Sequence, residues 1–428
     1  MLDPKIIRDN SGMVREVLKN RGEGPELIDR FLALDDERKK LVRNTEELKR
    51  RKNEASKNIG NLIKEKKDVS AAKEEVKALT EEISGIDSEL KRIDEEHKQV
   101  LDSIPNIPHE TVPVGADADD NRLVKEEGSK PKFAFEAKDH LELGKINSLF
   151  DMEKGAKISG SGFPLYTGQG AKLERALINF MLDVHTQEHG YKEIFPPFLV
   201  NRASMRGTGQ IPKLEADMYR LAEEDMFLIP TAEVPVTNIH AGETLDEADL
   251  PIYYTASTAC FRREAGSYGK DTKGLIRVHQ FNKVEMVKFT RPEDSMKELE
   301  TLLADAEDIL KRLELPYRVI ELCTGDISFA AHKCYDIELW APGTKRWLEV
   351  SSCSVFSDFQ ARRANIRYRP KGSAQKTGYV HTLNGSGVAL PRLVIALLEV
   401  HQQKDGSVKL PKALSAYFGK DTISPEEK

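Results

Sequence analysis

Between Pro25 and Pro105 the chain contains no proline, and its apolar residues fall on a seven-residue period. Leu34, Leu41, Leu48, Ala55 and Leu62 are spaced by sevens, and Val76, Leu79, Ile83, Ile86, Leu90, Ile93, His97, Val100 and Ile104 step by threes and fours. A helix gathers such residues into one narrow stripe, which is buried best against a second helix. The polar run KEKKDVS at 64–70 interrupts the pattern once, and Asp68 or Ser70 can cap a new helix there. The spacing predicts an antiparallel two-helix coiled-coil arm over about 27–104. At ~1.5 Å per residue each helix would be roughly 55 to 60 Å long.

The two helices differ in charge. From Arg38 to Lys67 there are 12 Lys and Arg against 4 Asp and Glu, and from Asp68 to Asp102 the counts are 5 and 11. Part of this is a zipper between the helices. Lys49, Arg50, Arg51 and Lys52 run around the first helix, so some of that cluster must face water. Such a surface suits a polyanion groove or backbone, and it also suits a plain solvated coiled coil.

After Ile104, PNIPHETVPVGADADDN has no period and reads as a linker, which puts a boundary near residue 110. The remainder, 111–428, mixes strand-like and helix-like runs, so an α+β body is expected. Cys260, Cys323, Cys334 and Cys353 form no CxxC pair, which predicts free thiols in a reducing compartment. No run of 18 apolar residues occurs, and the N-terminus has neither an apolar signal region nor an Arg/Ser-rich presequence. A soluble cytoplasmic chain with no membrane contact is expected. A P-loop, a GxSxG elbow and HExxH are absent, and the glycine clusters at Gly160, Gly207 and Gly385 lack the third glycine of a dinucleotide fingerprint. Phosphate chemistry, if present, must use arginine side chains.

FRREAGSYGKDTKGLIRVHQF, at 261–281, is rich in positive charge although the formal net charge of the chain is -6. Cys260–Glu264 and Leu275–Phe289 read as strands around a glycine-punctuated loop. Alternation puts Arg262 and Glu264 on one face, and Arg277, Phe281 and Glu285 on one face. At ~3.3 Å per residue, Arg277 and Phe281 would lie roughly 13 Å apart, about the span from the phosphates to the base of a nucleotide. Arginine grips phosphate, an aromatic ring stacks on a base, and a carboxylate accepts from an amine. The same pattern fits a hairpin whose Phe281 is core and whose arginines pair with Glu264 and Glu285. RWLEVSSCS then supplies Glu349 with the hydroxyls of Ser351 and Ser352, and a carboxylate and a hydroxyl three residues apart can share a Mg2+ that bridges phosphates. NGSGVALPRLVIALLEVHQ carries Arg392 near the start of an apolar helix, within reach of a nucleotide on the sheet.

Taken together these residues resemble class II aminoacyl-tRNA synthetases, and among them the bacterial-type seryl-tRNA synthetases, over essentially the whole chain. HGYKEIFPPFLVN (about 189–201) resembles motif 1, the FRRE to RVHQF region (about 258–289) motif 2, and GSGVALPR (within about 384–401) motif 3. IPTAEVPVTN, FNKVEMV, SSCS, DFQARR and HTLNGSG narrow the match to the seryl family. The resemblance implies an antiparallel sheet flanked by helices, an N-terminal tRNA-binding domain over 1–110 and a catalytic domain over 111–428.

Carried over position by position, Arg262 would contact the α-phosphate of ATP and the serine carboxylate, Glu264 the adenine amine, and Arg277 the γ-phosphate. Phe281 would stack on adenine, with Val278 adding a backbone contact. Arg392 would flank the triphosphate from the other side, making Arg262 and Arg392 the catalytic pair. The stretch Glu349, Val350, Ser351 and Ser352 would line the ATP site, with Glu349 and Ser352 holding Mg2+. For L-serine the family uses Thr231, Ala232 and Glu233, with Arg262, with Glu285 on the amino group, and with Thr382, Asn384 and Ser386 around the side chain. Arg263 falls in the ATP-binding stretch, stands where relatives often have a small residue, and alternates outward. VFSDFQ at Val355 is a second departure from the family pattern.

The implied activity is activation of serine by ATP, then transfer to the 3′ end of tRNA(Ser) and of tRNA(Sec), which shares the long variable arm. Lys49, Arg50, Arg51 and Lys52 on the helical arm, with Lys270 and Lys273 in the motif 2 loop, would face tRNA. A homodimer is implied by motif 1. A paralogue that loads a carrier protein, and a coiled-coil scaffold with a globular head, are the competing readings. The first leaves the basic arm without a role, and the second leaves the three motifs unexplained.

Overall fold

The computed structural model describes residues 1–264, 273–372 and 376–425. The chain forms two compact units, Leu2–Pro105 and the part from Asn106 onward. Lys270 lies outside the described residues.

The first unit begins with α1 (Pro4–Asp9) and α2 (Ser11–Asn20), then α3 (Glu26–Lys64) and α4 (Ser70–Ser103). With 39 and 34 residues, α3 and α4 run about 58 and about 51 Å. Leu48, Ala55, Leu79 and Ile83 form their dry seam, flanked by Val76 and Ile86. Two buried positions of α3 are polar, Asp35 and Thr45. At the turn, the carboxylate of Asp68 accepts from the Ser70 N–H at 2.9 Å and from its hydroxyl at 2.7 Å, so Asp68 supplies the capping oxygen. Arg38 pairs with Asp94 and Lys49 with Asp87 across the hairpin, the zipper that the charge asymmetry suggested. Arg50 pairs only along its own helix among these contacts, with Glu47 and Glu54. Arg51 is exposed and Lys52 half-buried.

The second unit is built on a sheet of eight strands: β1 (Arg122–Glu127), β2 (Lys192–Glu193), β3 (Ile252–Phe261), β4 (Gln280–Thr290), β5 (Tyr317–Glu321), β6 (Lys333–Ala341), β7 (Arg346–Val355) and β8 (His381–Ala389). Their spatial order is β1-β5-β6-β7-β8-β4-β3-β2. Every pairing is antiparallel except that of the short edge strand β2 with β3. The site also draws on helices α5 (Gly168–Gln187), α6 (Arg202–Thr208), α7 (Glu233–Thr237), α8 (Ser295–Arg312), α9 (Phe359–Ala364) and α10 (Leu390–Val400). Leu177 of α5, Leu302 of α8 and Leu397 of α10 share one large core with strand residues such as Ile337, Leu339 and Leu383. On β4, Val284 and Met286 join that core, whereas Val287 and Phe289 belong to a smaller cluster with Val236 and Ala361. This is the period-2 alternation of a sheet covered on both faces.

The hairpin expected at Cys260–Glu264 and Leu275–Phe289 is shorter than its sequence suggests. β3 stops at Phe261 and β4 starts at Gln280, with Phe261 opposite Gln280 and Cys260 opposite Phe281. Arg262, Glu264 and Arg277 therefore stand beyond the strand ends, and strand alternation does not set their directions. The cause is competition for backbone donors. The His279 N–H goes to the Gly162 carbonyl at 2.9 Å and the Leu275 N–H to Nε2 of the buried His140 at 3.3 Å. Glu264 has φ 50°, a left-handed conformation that turns the chain off the ladder.

Two irregularities in the sheet matter for chemistry. Along β6 and β7, Ile337 pairs with Ser351 but Glu338 pairs with Glu349, so Val350 has no cross-strand partner. Along β4 and β8, Val284 pairs with Val388 but Glu285 with Ser386, leaving Gly387 as the extra residue. Each is a β-bulge. On β7 the core-facing positions accordingly change parity, from Leu348 and Val350 to Cys353 and Val355.

Candidate active site

A cavity of about 550 Å3 opens on the sheet where these elements meet. Its walls include Arg262, Glu264, Arg277, Val278, Phe281, Glu349, Val350, Ser352 and Arg392, all of which the sequence assigned to ATP. They also include Thr231, Glu233, Asn384 and Ser386 from the set assigned to serine.

The bulges explain the grouping. Residues three apart on a regular strand face opposite sides, so Glu349 and Ser352 could not share a ligand. The extra residue Val350 returns Ser352 to the side of Glu349. Gly387 does the same on β8, bringing Ser386 and Ala389 to one wall. At Gly387 an added Cβ would lie 2.6 Å from Nε2 of the buried His185, so the bulge needs glycine.

The arginines are held from behind. Arg262 donates from Nε to the Pro230 carbonyl at 3.3 Å, and its guanidinium lies 5.3 Å from the Phe281 ring centre. Its backbone is tied to His279, N–H to carbonyl at 2.9 Å. Arg277 reaches Glu264 at 3.0 Å. Arg392, in the first turn of α10, donates to the Ile276 carbonyl at 3.1 Å and to the Glu349 carbonyl at 2.8 Å, with the Glu349 carboxylate at 3.3 Å. Arg263 is exposed, donates to the Ala216 carbonyl at 3.3 Å and stays out of the cavity lining.

Behind the other end, Glu285, which the sequence assigned to the serine amino group, is buried, does not itself line the cavity and is fully engaged. Its carboxylate accepts from the Thr231 hydroxyl at 3.0 Å and the Asn384 amide at 2.8 Å, and it pairs with Lys283. Glu233 accepts from the Gln360 amide at 2.6 Å. Burial, and then the neighbouring Glu285 charge, push the Glu233 carboxyl up to about 7. Ala232 and Ser351 do not line the cavity: Ala232 belongs to the apolar cluster beneath, and the Ser351 hydroxyl donates to the Ser386 carbonyl at 2.6 Å. The Thr382 hydroxyl is likewise turned away from the expected serine contact, donating to Gln360 at 2.7 Å. Lys273 is exposed.

Three residues with a place here were not singled out from sequence. Lys283 lines the wall between Phe281 and Glu285, and alternation from those two positions would have found it. Gln360 lies within DFQARR, a stretch quoted for the family match but given no role of its own. Asp336, opposite Ser352 on β6, is driven well above the usual carboxylate range by burial and then by the Glu349 charge.

Glu349 and Ser352 offer hard oxygen donors of the kind Mg2+ takes, and the carboxylates of Asp336 and Glu349 repel one another as they stand. Those residues fit the ion. Among the described residues no group of three or more His, Cys, Asp or Glu is arranged to hold a metal, so phosphate oxygens would complete the ligand set.

An antiparallel sheet carrying paired arginines, a stacking ring and a strand-borne carboxylate defines the catalytic core of class II aminoacyl-tRNA synthetases. The family model "tRNA synthetase class II core domain (G, H, P, S and T)" matches residues 215–401, and "Seryl-tRNA synthetase N-terminal domain" matches residues 1–108. A serine–tRNA ligase of Syntrophobacter fumaroxidans is 55% identical over 419 residues, 98% of this chain and 99% of that one. The serine–tRNA ligase of Bacillus subtilis is also 55% identical, covering 98% of each chain. The crystal structure of seryl-tRNA synthetase from Pyrococcus horikoshii complexed with ATP superposes with a TM-score of 0.93 at 37% identity, covering 100% of both chains. The chain belongs to the seryl-tRNA synthetase family.

Proposed function

We infer that this chain is a serine–tRNA ligase. It condenses L-serine with ATP to seryl-adenylate and pyrophosphate, then passes the seryl group to the 3′ end of tRNA(Ser). The observation that carries this reading is one cavity with arginines and an aromatic ring at one end and the polar set Thr231, Glu233 and Asn384 at the other, with Glu285 behind it accepting from Thr231 and Asn384.

In the first step a serine carboxylate oxygen attacks the α-phosphorus, a P–O bond forms, and the bond to the leaving pyrophosphate breaks with its electron pair. No side-chain nucleophile is required. Arg262 aligns the carboxylate with the phosphate, and Arg392 balances charge from the opposite wall, so catalysis is positioning plus electrostatic stabilisation. Mg2+, held by Glu349 and Ser352, would supply further charge neutralisation on the phosphates. In the second step a terminal ribose hydroxyl of tRNA attacks the seryl carbonyl and AMP leaves.

Specificity is a matter of partners. A pocket built to hydrogen-bond the serine hydroxyl leaves buried groups unpaired with alanine, and its volume excludes threonine. The helical arm, with Lys49, Arg50, Arg51 and Lys52, takes the long variable arm of tRNA(Ser) and of tRNA(Sec), reading shape and backbone. Lys273, and Lys270 beside it in sequence, serve the acceptor end. The chain works as a homodimer through motif 1, whose Phe195 is 83% exposed beside the edge strand β2. No described helix is long and apolar enough to cross a membrane, and the cytoplasm is the proposed location.

The test is serine-dependent ATP–pyrophosphate exchange, followed by charging of a tRNA with and without its long variable arm. Exchange with serine and charging only of the long-armed tRNA are expected. Exchange without charging would favour the carrier-loading paralogue, and no exchange would remove the assignment.

A further inference from the structure

Gln360 lies in the second position of α9, fully buried, and does not line the cavity. Its amide nevertheless joins three segments that meet behind the serine end. Nε2 donates to the Glu233 carboxylate at 2.6 Å and to the Thr208 carbonyl, at the end of α6, at 3.1 Å. Oε1 accepts from the Thr382 hydroxyl of β8 at 2.7 Å. Both amide protons and the carbonyl are thus engaged, and this set of partners also fixes which way round the amide sits.

The geometry points to Gln360 as a positioning residue of the serine subsite: it holds the Glu233 carboxylate, in one orientation and ready to ionise, toward the substrate. This rests on the reading of the cavity as a serine site. The charged groups around Glu233 divide. Glu285 on β4 opposes its ionisation, whereas Lys283 on β4 and Arg262 beyond β3 favour it. α9 and α6 contribute only the neutral Gln360 amide and the Thr208 carbonyl to this contact. A neutral donor pinned at its other two corners can orient a carboxylate without adding charge where the serine ammonium must bind. Truncating it would leave a buried acid beside Glu285 with one donor fewer, and such an acid keeps its proton to higher pH.

Gln360→Met keeps the length and removes the amide. In the full-length enzyme, exchange kinetics over about pH 6 to 8.5 should show the serine KM raised about tenfold or more at neutral pH, with the ATP KM within about twofold of the parent. The pH at which the serine KM changes should also move upward. Thr382→Val cuts the opposite end of the bridge and should move the same midpoint in the same direction by a smaller amount. It serves as the readout if Gln360→Met does not fold. A serine KM and midpoint that stay put, or ATP and serine KM values that rise together, would overturn the inference. Absence of exchange in the parent enzyme would instead overturn the serine reading itself, so the two failures are distinguishable.

Discussion

Arg277 and Glu264 bind each other at 3.0 Å in the cavity wall, although neither stands on a strand and their proposed targets are opposite ends of one nucleotide. With side chains 40% and 20% exposed, the pair is worth less than about 1 kcal/mol to the fold. Arg277→Ala should therefore barely change the melting temperature. It should raise the KM for ATP about 10- to 100-fold, the loss of a charge-assisted hydrogen bond of ~1.5–3 kcal/mol, and leave the KM for serine alone. Steady-state kinetics decide this, and an unchanged ATP KM would take Arg277 off the phosphates.

Glu233, whose carboxyl burial and Glu285 push up to about 7, predicts a pH dependence. The serine ammonium favours the ionised acid, so the serine KM should fall as pH rises through about 7 and then level off. Glu233→Gln should be weaker and flat over the same range. For the empty fold the sign is opposite to that of an ordinary paired acid. The folded carboxyl keeps its proton up to about 7 while the unfolded one loses it near 4.5, so this group's contribution to stability is greatest below 4.5. It declines as pH rises from there to about 7. Melting temperatures of the parent and of Glu233→Gln across that window check the sign.

Removing Glu37 to Asp94 and closing the hairpin should spare adenylate formation and abolish tRNA charging. The seam of Leu48, Ala55, Leu79 and Ile83 leaves whole with the deleted segment, so neither half of that seam is stranded. Charging of tRNA by the shortened enzyme would show that the arm is not the tRNA-binding element.

Gly387→Ala puts a Cβ 2.6 Å from Nε2 of His185, whose Nδ1 sits 3.0 Å from that of His189 and whose ring is fully buried. Overpacking of this kind costs about 1–3 kcal/mol. Because Ser386 is the adjacent residue, the serine KM should rise more than the ATP KM. Equal changes in both would mean the bulge has no specific part in holding serine.

The arm was legible because a heptad stripe is local information: Leu48 and Ala55 are where the period places them. Most chemistry-bearing residues were legible as types in order, and the cavity gathers Arg262, Phe281, Glu349 and Arg392. What the chain did not disclose depends on partners distant in sequence. The ends of β3 and β4 are set by Gly162 and His140, which take the donors of His279 and Leu275. Gln360 looks like one more residue of a short helix until Glu233 and Thr382 are brought to it. A bulge is visible only against the opposite strand.

That last feature has a cost in design terms. Drawing Val350 into the ladder as an ordinary paired residue would make β6 and β7 regular and turn Glu349 and Ser352, three apart, to opposite faces of the sheet. The tidier protein would be the inert one. Mutational searches that reward regular strands or thermal tolerance alone would tend to erase the two unpaired positions, so sequence libraries on this scaffold should keep the spacing of β7 and β8 fixed and vary what surrounds it.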